Sequence, residues 1–197
     1  MKMSMEKKVI NEVIEEAIKY ASLGLSVIPL GPITKESNGK KNISFPKGGW
    51  KKFQERIASE EEMLSWNCEN LGMVTGPISN VLVLELDSYK PGYNKQLVET
   101  FNIPITPFQS TASGGKQYFF RYPTGVTINN DVCIGSEGSG IDIRGDGGMV
   151  VVAPSTTSYG EYYWEISPFD EPLAEVPPTL LGLIVNGTGI EFQKRKT

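Results

Sequence analysis

Two carboxylates stand at the end of a short apolar segment near the middle of the chain. Residues 81–87 read Val-Leu-Val-Leu-Glu-Leu-Asp, and the turn-forming residues Ser-Tyr-Lys-Pro-Gly follow directly. A short apolar run that ends at turn formers predicts a strand buried on both faces. Because successive side chains of a strand point to opposite faces, Glu85 and Asp87 should share one face.

A pair of neighbouring carboxylates can bind a metal ion. Two negative charges at the end of a buried strand repel each other and are costly to desolvate unless a cation lies between them. Carboxylate oxygens suit Mg²⁺ or Mn²⁺. The alternative is a strand end that emerges into solvent, where acidic residues are common. The pair alone leaves both interpretations open.

The absence of histidine limits the available chemistry. The sequence contains no histidine and two cysteines, Cys68 and Cys133. This excludes histidine acid/base catalysis, Ser-His-Asp triads and histidine-containing zinc sites. Two cysteines cannot form a four-thiolate zinc site, so no zinc is expected. Any chemistry must rest on carboxylates, lysines, arginines, backbone amides and a metal such as Mg²⁺ or Mn²⁺.

Composition and charge indicate a globular protein without membrane association. The chain has 197 residues, which suits one domain of generous size. No apolar run approaches the roughly 20 residues that span a bilayer, and the N-terminus does not resemble a signal peptide. The two cysteines form no disulfide framework, which favours a reducing, cytoplasmic setting.

The net charge of −4 is unevenly distributed along the chain. One segment holds seven basic residues against two glutamates: Lys35, Lys40, Lys41, Lys47, Lys51, Lys52 and Arg56. Such a cluster could follow the phosphates of a nucleic acid. A solvated loop is the alternative, and it is the commoner role of a lysine-rich segment.

The predicted elements indicate an α+β domain. Strands outnumber helices and several are joined by tight turns, which favours a mixed or antiparallel sheet. Residues 33–49 are polar and predict a long loop. Helices are predicted at 6–22, 60–67, 93–101 and from 178, and strands at 25–30, 71–76, 81–87, 117–121, 149–153 and 162–166. Ser59, with Glu62 three residues later, is predicted to cap the second helix.

The motifs, taken in order, resemble a known family. Gly-Leu-Ser-Val-Ile-Pro-Leu at 24–30, Lys-Gly-Gly-Trp at 47–50 and Leu-Gly-Met-Val-Thr-Gly at 71–76 precede Leu-Glu-Leu-Asp at 84–87. Ser-Gly-Gly at 113–115, Gly-Ile-Asp-Ile-Arg-Gly at 140–145 and Val-Val-Ala-Pro-Ser at 151–155 follow. This series is similar to the bifunctional DNA primase/polymerase N-terminal domain of the archaeo-eukaryotic primase superfamily, over about residues 14–185.

The resemblance implies a fold and a function. The fold would be an archaeo-eukaryotic primase-like core with an RRM-like sheet plus a smaller N-terminal α/β lobe. Residues 1–187 would form this two-lobed catalytic domain, and residues 188–197 a polar, basic tail or linker. The activity would be template-dependent nucleotidyl transfer, with a DNA template and primer and a dNTP or NTP. Such domains often serve mobile replicons and work with a replicative helicase.

The resemblance also implies three catalytic carboxylates. Carried over by motif, they are Glu85, Asp87 and Asp142. Three carboxylates from two neighbouring strands can hold two divalent ions, Mg²⁺ or Mn²⁺, which orient the triphosphate and activate the primer 3′-hydroxyl. Phosphoryl transfer depends on positioning and charge neutralisation more than on a protein base, so a site without histidine can still work.

The nucleotide-binding motif departs from the family pattern. The family has Ser-x-His, but Gln117 stands at the histidine position after Ser113, Gly114, Gly115 and Lys116. A glutamine amide can donate a hydrogen bond but carries no charge. Lys116 should point to the opposite face. Gly114 and Gly115 either let the backbone approach the triphosphate or form an ordinary turn.

Two further groups are candidates for binding phosphates and bases. Arg144 should share a face with Asp142, either as a bidentate phosphate partner or as an ion pair that orients Asp142. Lys47, Trp50, Lys51 and Lys52 are predicted to contact nucleic acid, although core packing is the commoner role of a tryptophan. The rival functions are a catalytically weakened nucleotide- or DNA-binding module, which the Gln117 position favours, and a nuclease.

Overall fold

The computed structural model describes residues 2–37, 39–130, 132–135 and 138–186. Within them the helices are α1 (Lys2–Ser22), α2 (Glu60–Leu64), α3 (Lys95–Glu99) and α4 (Pro178–Asn186), with a 3-10 turn at Lys51–Gln54. The strands are β1 (Val27–Leu30), β2 (Ile33–Lys35), β3 (Lys41–Ile43), β4 (Asn70–Val74), β5 (Val81–Leu86), β6 (Phe108–Ser110), β7 (Lys116–Arg121), β8 (Val132–Cys133), β9 (Ile141–Arg144), β10 (Met149–Val152), β11 (Thr156–Thr157), β12 (Gly160–Glu161), β13 (Tyr163–Ile166) and β14 (Ala174–Glu175).

Most of the strands belong to two antiparallel sheets. A seven-stranded sheet has the order β13-β6-β7-β5-β9-β8, with β14 added parallel to β7. A three-stranded sheet has the order β1-β4-β10. Two short hairpins, β2–β3 and β11–β12, complete the set. The structure confirms the predicted combination of helices with a mixed or largely antiparallel sheet.

The central strand β5 buries both of its faces, as its sequence predicts. Val81 and Val83 join Phe119 in a core that also contains α1 and the three-stranded sheet. Leu82 and Leu84 join a second core, which α3 and α4 cover. Side-chain alternation along a strand explains this division. The face that carries Val81 and Val83 becomes polar at Glu85, one residue before the end of β5.

Local signals account for the helices that flank these cores. Helix α1 places Val13, Ala17 and Tyr20 at helical spacing, and all three are buried. It ends at Ser22, two residues before Gly24, whose φ of +80° a residue with a side chain rarely adopts. Helix α2 begins after Ser59, whose hydroxyl accepts a hydrogen bond from the Glu62 amide at 3.2 Å. This confirms the predicted N-cap.

The prediction of a long loop over residues 33–49 was wrong. Strands β2 and β3 pair within it, with Ile33 opposite Ile43. Ile33 is buried, and its carbonyl accepts from the Ser158 amide at 3.3 Å, which attaches the hairpin to the β11–β12 segment. Each strand has three residues, too few to show apolar alternation, so sequence periodicity could not reveal it.

Two further predictions concern the C-terminal tail and association with a membrane. The predicted basic tail at 188–197 lies outside the described residues. In the described part, no helix is long and apolar enough to cross a membrane.

Candidate functional site

A row of polar side chains crosses the seven-stranded sheet at the end of β5. The strand register places Glu85 directly between Gln117 of β7 and Asp142 of β9. Gln109 of β6 lies opposite Gln117 on its other side. Gln109, Gln117 and Asp142 are at most 4% exposed. Buried polar groups require hydrogen-bond or ion-pair partners, so each amide and carboxylate of the row needs at least one.

Backbone groups determine how the two glutamines are oriented. The Ala153 amide can only donate and binds Gln109 Oε1 at 3.0 Å, while the Val151 carbonyl can only accept and binds Gln109 Nε2 at 2.8 Å. Gln109 Nε2 also donates to Gln117 Oε1 at 2.5 Å. Gln117 must therefore present its Nε2 to Glu85, whose Oε1 accepts from it. The glutamine at the family's histidine position thus contacts a carboxylate.

Arg144 binds the other oxygen of Glu85. Its Nε donates to Glu85 Oε2, and the two side chains are 20% and 18% exposed. Burial alone would raise the pKa of Glu85, but the charge and hydrogen bond of Arg144 and the bond from Gln117 outweigh it and lower the pKa below its ordinary value. Glu85 is therefore an anion with donors on both oxygens.

Asp87 and Asp142 share a different cation. Lys90 Nζ lies 2.9 Å from Asp87 Oδ2 and 3.8 Å from Asp142 Oδ2. Burial lowers the pKa of Lys90, but the two carboxylates more than offset this and raise it above its ordinary value. Lys90 follows Asp87 by three residues, and its amide donates to the Asp87 carbonyl at 2.9 Å. The turn after β5 thus brings a positive charge back to the two carboxylates.

Two glycines let the chain pass close to Asp87. A Cβ at Gly115 would lie 2.5 Å from Asp87 Oδ1, and one at Gly140 would lie 2.6 Å from the Asp87 carbonyl oxygen. Gly140 also has a φ of +71°. By contrast, a Cβ at Gly114 would meet nothing within 4 Å. Of the glycines predicted at the nucleotide motif, Gly115 is the one that the packing around Asp87 requires.

The three predicted metal ligands are not gathered into one cluster. Among the described residues, no group of three or more carboxylate, cysteine or histidine side chains is placed to hold a metal ion. The reason is local, because Glu85 faces Arg144 and Gln117 while Asp87 and Asp142 face Lys90. The carboxylate oxygens of Asp87 and Asp142 already share the ammonium of Lys90, and oxygen ligands of this kind fit a divalent ion. Glu85 does not fit that role in this arrangement.

The other predicted nucleotide-binding residues take separate positions. Ser113 lies beside Tyr89 and Tyr159. Lys116 points away from Gln117, as its place in the strand requires, and its ammonium lies 5.1 Å from the centre of the Phe108 ring. This placement does not favour a role for Lys116 beside the carboxylates.

Some of the residues predicted to contact nucleic acid are exposed, and others already contact neighbouring side chains. Lys47 and Lys51 are exposed. Lys52 is also exposed but pairs with Glu62 at 2.7 Å. Trp50 is half-buried and packs against the first core, which supports the packing interpretation of this residue.

Sequence reasoning did not place Lys90 and Lys41 at the site. Lys90 carries no motif beyond its distance from Asp87. Lys41 belongs to the hairpin that was predicted to be a loop, and its Nζ donates to the Tyr162 hydroxyl at 2.5 Å. The contact joins residues 121 positions apart, so no local signal could have found it.

A well-formed cavity lies elsewhere on the same sheet. It has a volume of about 360 Å³ and an apolar lining that includes Leu25, Phe119 and Trp164. None of the carboxylates of the polar row lines it. Charge and hydrogen bonding, rather than cavity size, therefore identify the polar row as the candidate site.

A sheet that gathers carboxylates, an arginine and lysines at the end of its central strand suits the handling of phosphates. The family model described as bifunctional DNA primase/polymerase, N-terminal, matches residues 17–179. The match spans most of the 197 residues, so the chain belongs to this family. Membership indicates primase/polymerase nucleotidyl transfer, with DNA and nucleotides as substrates. No curated protein matches the chain.

Proposed function

We propose that this chain is a DNA primase/polymerase that adds nucleotides to a 3′-end under the direction of a template. The observation that carries the proposal is the pair formed by Asp87 and Asp142, which come from neighbouring strands and share the ammonium of Lys90. Two carboxylates that already bind one cation together provide the charge and the donor atoms for a divalent ion.

Asp87 and Asp142 would hold the ion, Mg²⁺ or Mn²⁺. When bound, such an ion neutralises triphosphate charge and lowers the pKa of the attacking 3′-hydroxyl. The ammonium of Lys90 must then leave the position between the two carboxylates. A two-ion arrangement that includes Glu85 requires this residue to leave Arg144 and Gln117.

Glu85 and Arg144 have a positioning role in this proposal. Glu85 accepts from Arg144 Nε and so limits the orientations of the guanidinium plane. A guanidinium held in one plane binds a phosphate through two parallel hydrogen bonds. Glu85 in turn is oriented by Gln117, which the backbone of β10 orients through Gln109.

The wider architecture follows from the same proposal. The seven-stranded sheet would be the primase-like core with its RRM-like sheet, and α1 with the three-stranded sheet would belong to the smaller lobe. Lys47, Lys51 and Lys52 would contact the DNA backbone. A replicative helicase, as a downstream domain or a separate chain, would be the partner in replication.

Primer extension tests the proposal. A labelled DNA primer on a template is incubated with Mg²⁺ or Mn²⁺ and with either dNTPs or NTPs. We expect the wild-type chain to extend it, and Asp87→Ala and Asp142→Ala each to lose about a hundredfold or more. Asp170→Ala is the control, because it removes the same charge from an exposed position. Extension that survives in either active-site variant would contradict the proposal.

A second candidate is a nucleotide- or DNA-binding module without catalysis. The observation that favours it is Gln117, which is neutral, 2% exposed and bonded to Glu85 and Gln109. This candidate predicts metal-dependent nucleotide binding by the wild-type chain with no extension under any of the conditions above.

A further inference from the structure

The β2–β3 hairpin brings a cation to the carboxylates of the site. Lys41 Nζ donates to the Tyr162 hydroxyl at 2.5 Å and lies 5.3 Å from the centre of the ring. Tyr162 is 3% exposed and lies within electrostatic range of Glu85 and Asp87. Lys41 itself lies within electrostatic range of Glu85. Its hydrogen-bond partner is a neutral phenol, so the ammonium keeps its charge for a ligand.

A buried hydroxyl lies within electrostatic range of this cation. The Tyr159 oxygen is buried, and the side chains of Thr157 and Ser113 lie beside it without meeting full hydrogen-bond geometry. The ammonium of Lys35 lies 4.2 Å from the centre of the Tyr159 ring. A ligand oxygen could complete the hydrogen bonding of this hydroxyl. The hydroxyl and the two ammonium groups together suit an anion.

The position that holds a histidine in the family motif carries no charge in this chain. Gln117 is neutral, and its amide is already bonded to Glu85 and Gln109. It can therefore neither neutralise a phosphate nor approach one without breaking the bonds that orient Glu85.

We propose that Lys41 and the Tyr159 hydroxyl bind the phosphates of the incoming nucleotide, and that Lys41 supplies the positive charge that Gln117 lacks. The ligand class is a nucleoside triphosphate, so this inference rests on the proposed function for the identity of the anion. The binding step itself can be measured without catalysis.

Equilibrium binding separates the contribution of Lys41 from general electrostatics. A nucleoside triphosphate, inorganic tripolyphosphate and the unphosphorylated nucleoside are titrated into the wild-type chain, Lys41→Met and the adjacent control Lys40→Met. A hydrogen bond to a charged group corresponds to about a tenfold change in affinity. We expect Lys41→Met to weaken both phosphate ligands about tenfold, Lys40→Met to change them less than about twofold, and nucleoside binding to stay unchanged.

Two further variants sharpen the test. Lys41→Arg should restore most of the affinity, and Tyr159→Phe should weaken triphosphate binding about threefold to tenfold. Thermal melting checks that each variant folds. Equal losses in Lys41→Met and Lys40→Met would overturn the proposal, as would a wild-type chain that binds neither phosphate ligand.

The test distinguishes this inference from the proposed function. A chain that binds tripolyphosphate through Lys41 but extends no primer would refute polymerase activity and leave the phosphate site standing. A chain that extends primers equally well with and without the Lys41 charge would refute the phosphate site and leave polymerase activity standing.

Discussion

Glu85 is the residue whose partners most strongly limit what the site can do. It accepts from Gln117 on one oxygen and from Arg144 on the other, and these donors lower its pKa although burial opposes them. A group with a lowered pKa stabilises the fold above its ordinary pKa and loses this contribution as the pH falls through the lowered value. The ion pair should therefore be fully effective at neutral pH.

The substitution Arg144→Met should produce a pH-dependent loss of stability. Without the guanidinium, burial dominates and the pKa of Glu85 rises, so the variant loses stability as the pH rises through the ordinary glutamate range. The difference in free energy of unfolding from wild type should be small near about pH 3 and reach about 2 kcal/mol at about pH 7. Urea denaturation at several pH values measures it.

The matched control for this prediction is the double variant Arg144→Met with Glu85→Gln. It removes the uncompensated charge, so it should be more stable at neutral pH than Arg144→Met alone and should lack the added pH dependence. A pH-independent loss in Arg144→Met would contradict the ion-pair account.

Strand alternation predicted much of the site at the residue scale. It correctly placed Arg144 on the face of Asp142 and Lys116 on the face opposite Gln117. It could not reveal that Glu85 would bind Arg144 and Gln117, because such partners depend on strand order. Lys41 was missed for the same reason, since its contact with Tyr162 joins distant segments.

At the scale of elements, two loops approach the end of β5 through glycine. The turn before β7 places Gly115 against Asp87 Oδ1, and the segment before β9 places Gly140 against the Asp87 backbone. Because these loops contact Asp87 directly, their backbone positions determine where its carboxylate lies.

Gly115→Ala and Gly114→Ala should differ in their effect on activity. A Cβ at Gly115 would displace the Asp87 carboxylate and would lie 3.1 Å from the Leu86 carbonyl oxygen, so activity should fall at least about tenfold, with some loss of stability. Gly114 has a φ of +84° and open space around it, so alanine there should reduce stability by about 1 kcal/mol and preserve activity. Primer extension and thermal melting of both variants check this pattern, and the reverse pattern would contradict it.

Helix α2 bears on nucleic-acid binding through Glu62. Glu62 forms ion pairs with Arg56 and Lys52 at 2.7 Å each. The hydrogen bonds from these two basic side chains lower the pKa of Glu62 to about 2. The two pairs are exposed to solvent, so they contribute little to stability. The ion pairs have a larger effect on nucleic-acid binding, because Glu62 neutralises two positive charges of the segment that is proposed to contact DNA.

Glu62→Gln should strengthen binding to single-stranded DNA. It frees Lys52 and Arg56, so affinity at low salt should rise about threefold to tenfold, and the slope of log affinity against log salt should steepen. Fluorescence anisotropy measures both quantities. Glu61→Gln removes the same charge from an exposed position on the same helix and should have a smaller effect. Equal effects of the two variants would contradict the prediction.

The longer elements were predictable and the short ones were not. Helix α1, strand β5 and the Ser59 cap followed from apolar spacing and capping chemistry. The β2–β3 hairpin did not, because polar three-residue strands carry no periodic signal.

At the scale of the whole molecule, Gln109 connects the two sheets. It lies in β6 of the seven-stranded sheet and bonds to the backbone at Val151 and Ala153, at the end of β10 in the three-stranded sheet. The first core fills the space between these sheets, and Gln109 is fully buried. The sheet that carries the polar row is thus held to its neighbour by the residue that orients Gln117.

Gln109→Leu should destabilise the molecule strongly. It leaves a buried carbonyl and a buried amide without partners, at a cost of about 3 kcal/mol in the free energy of unfolding. Gln54→Leu is the control, because Gln54 makes a single exposed bond to the Gly147 carbonyl and should cost less than about 1 kcal/mol. Chemical denaturation measures both, and similar small losses would contradict the proposed connection.

The overall class was predictable, but the sheet arrangement was not. Counting strands and turns indicated an antiparallel α+β domain. Nothing in the sequence of β10 showed that it would leave the sheet of its neighbour β9 and pair with β4, because pairing depends on long-range packing.

The most direct test of the account compares three charge-removing variants in single-turnover primer extension: Asp87→Asn, Asp142→Asn and Glu85→Gln. If Asp87 and Asp142 hold the cation and Glu85 only positions Arg144, the two aspartate variants should lose at least about a hundredfold in rate, and Glu85→Gln about tenfold. A Glu85→Gln variant as inactive as the aspartate variants would make Glu85 a direct ligand. An Asp142→Asn variant that extends at the wild-type rate would contradict the central claim.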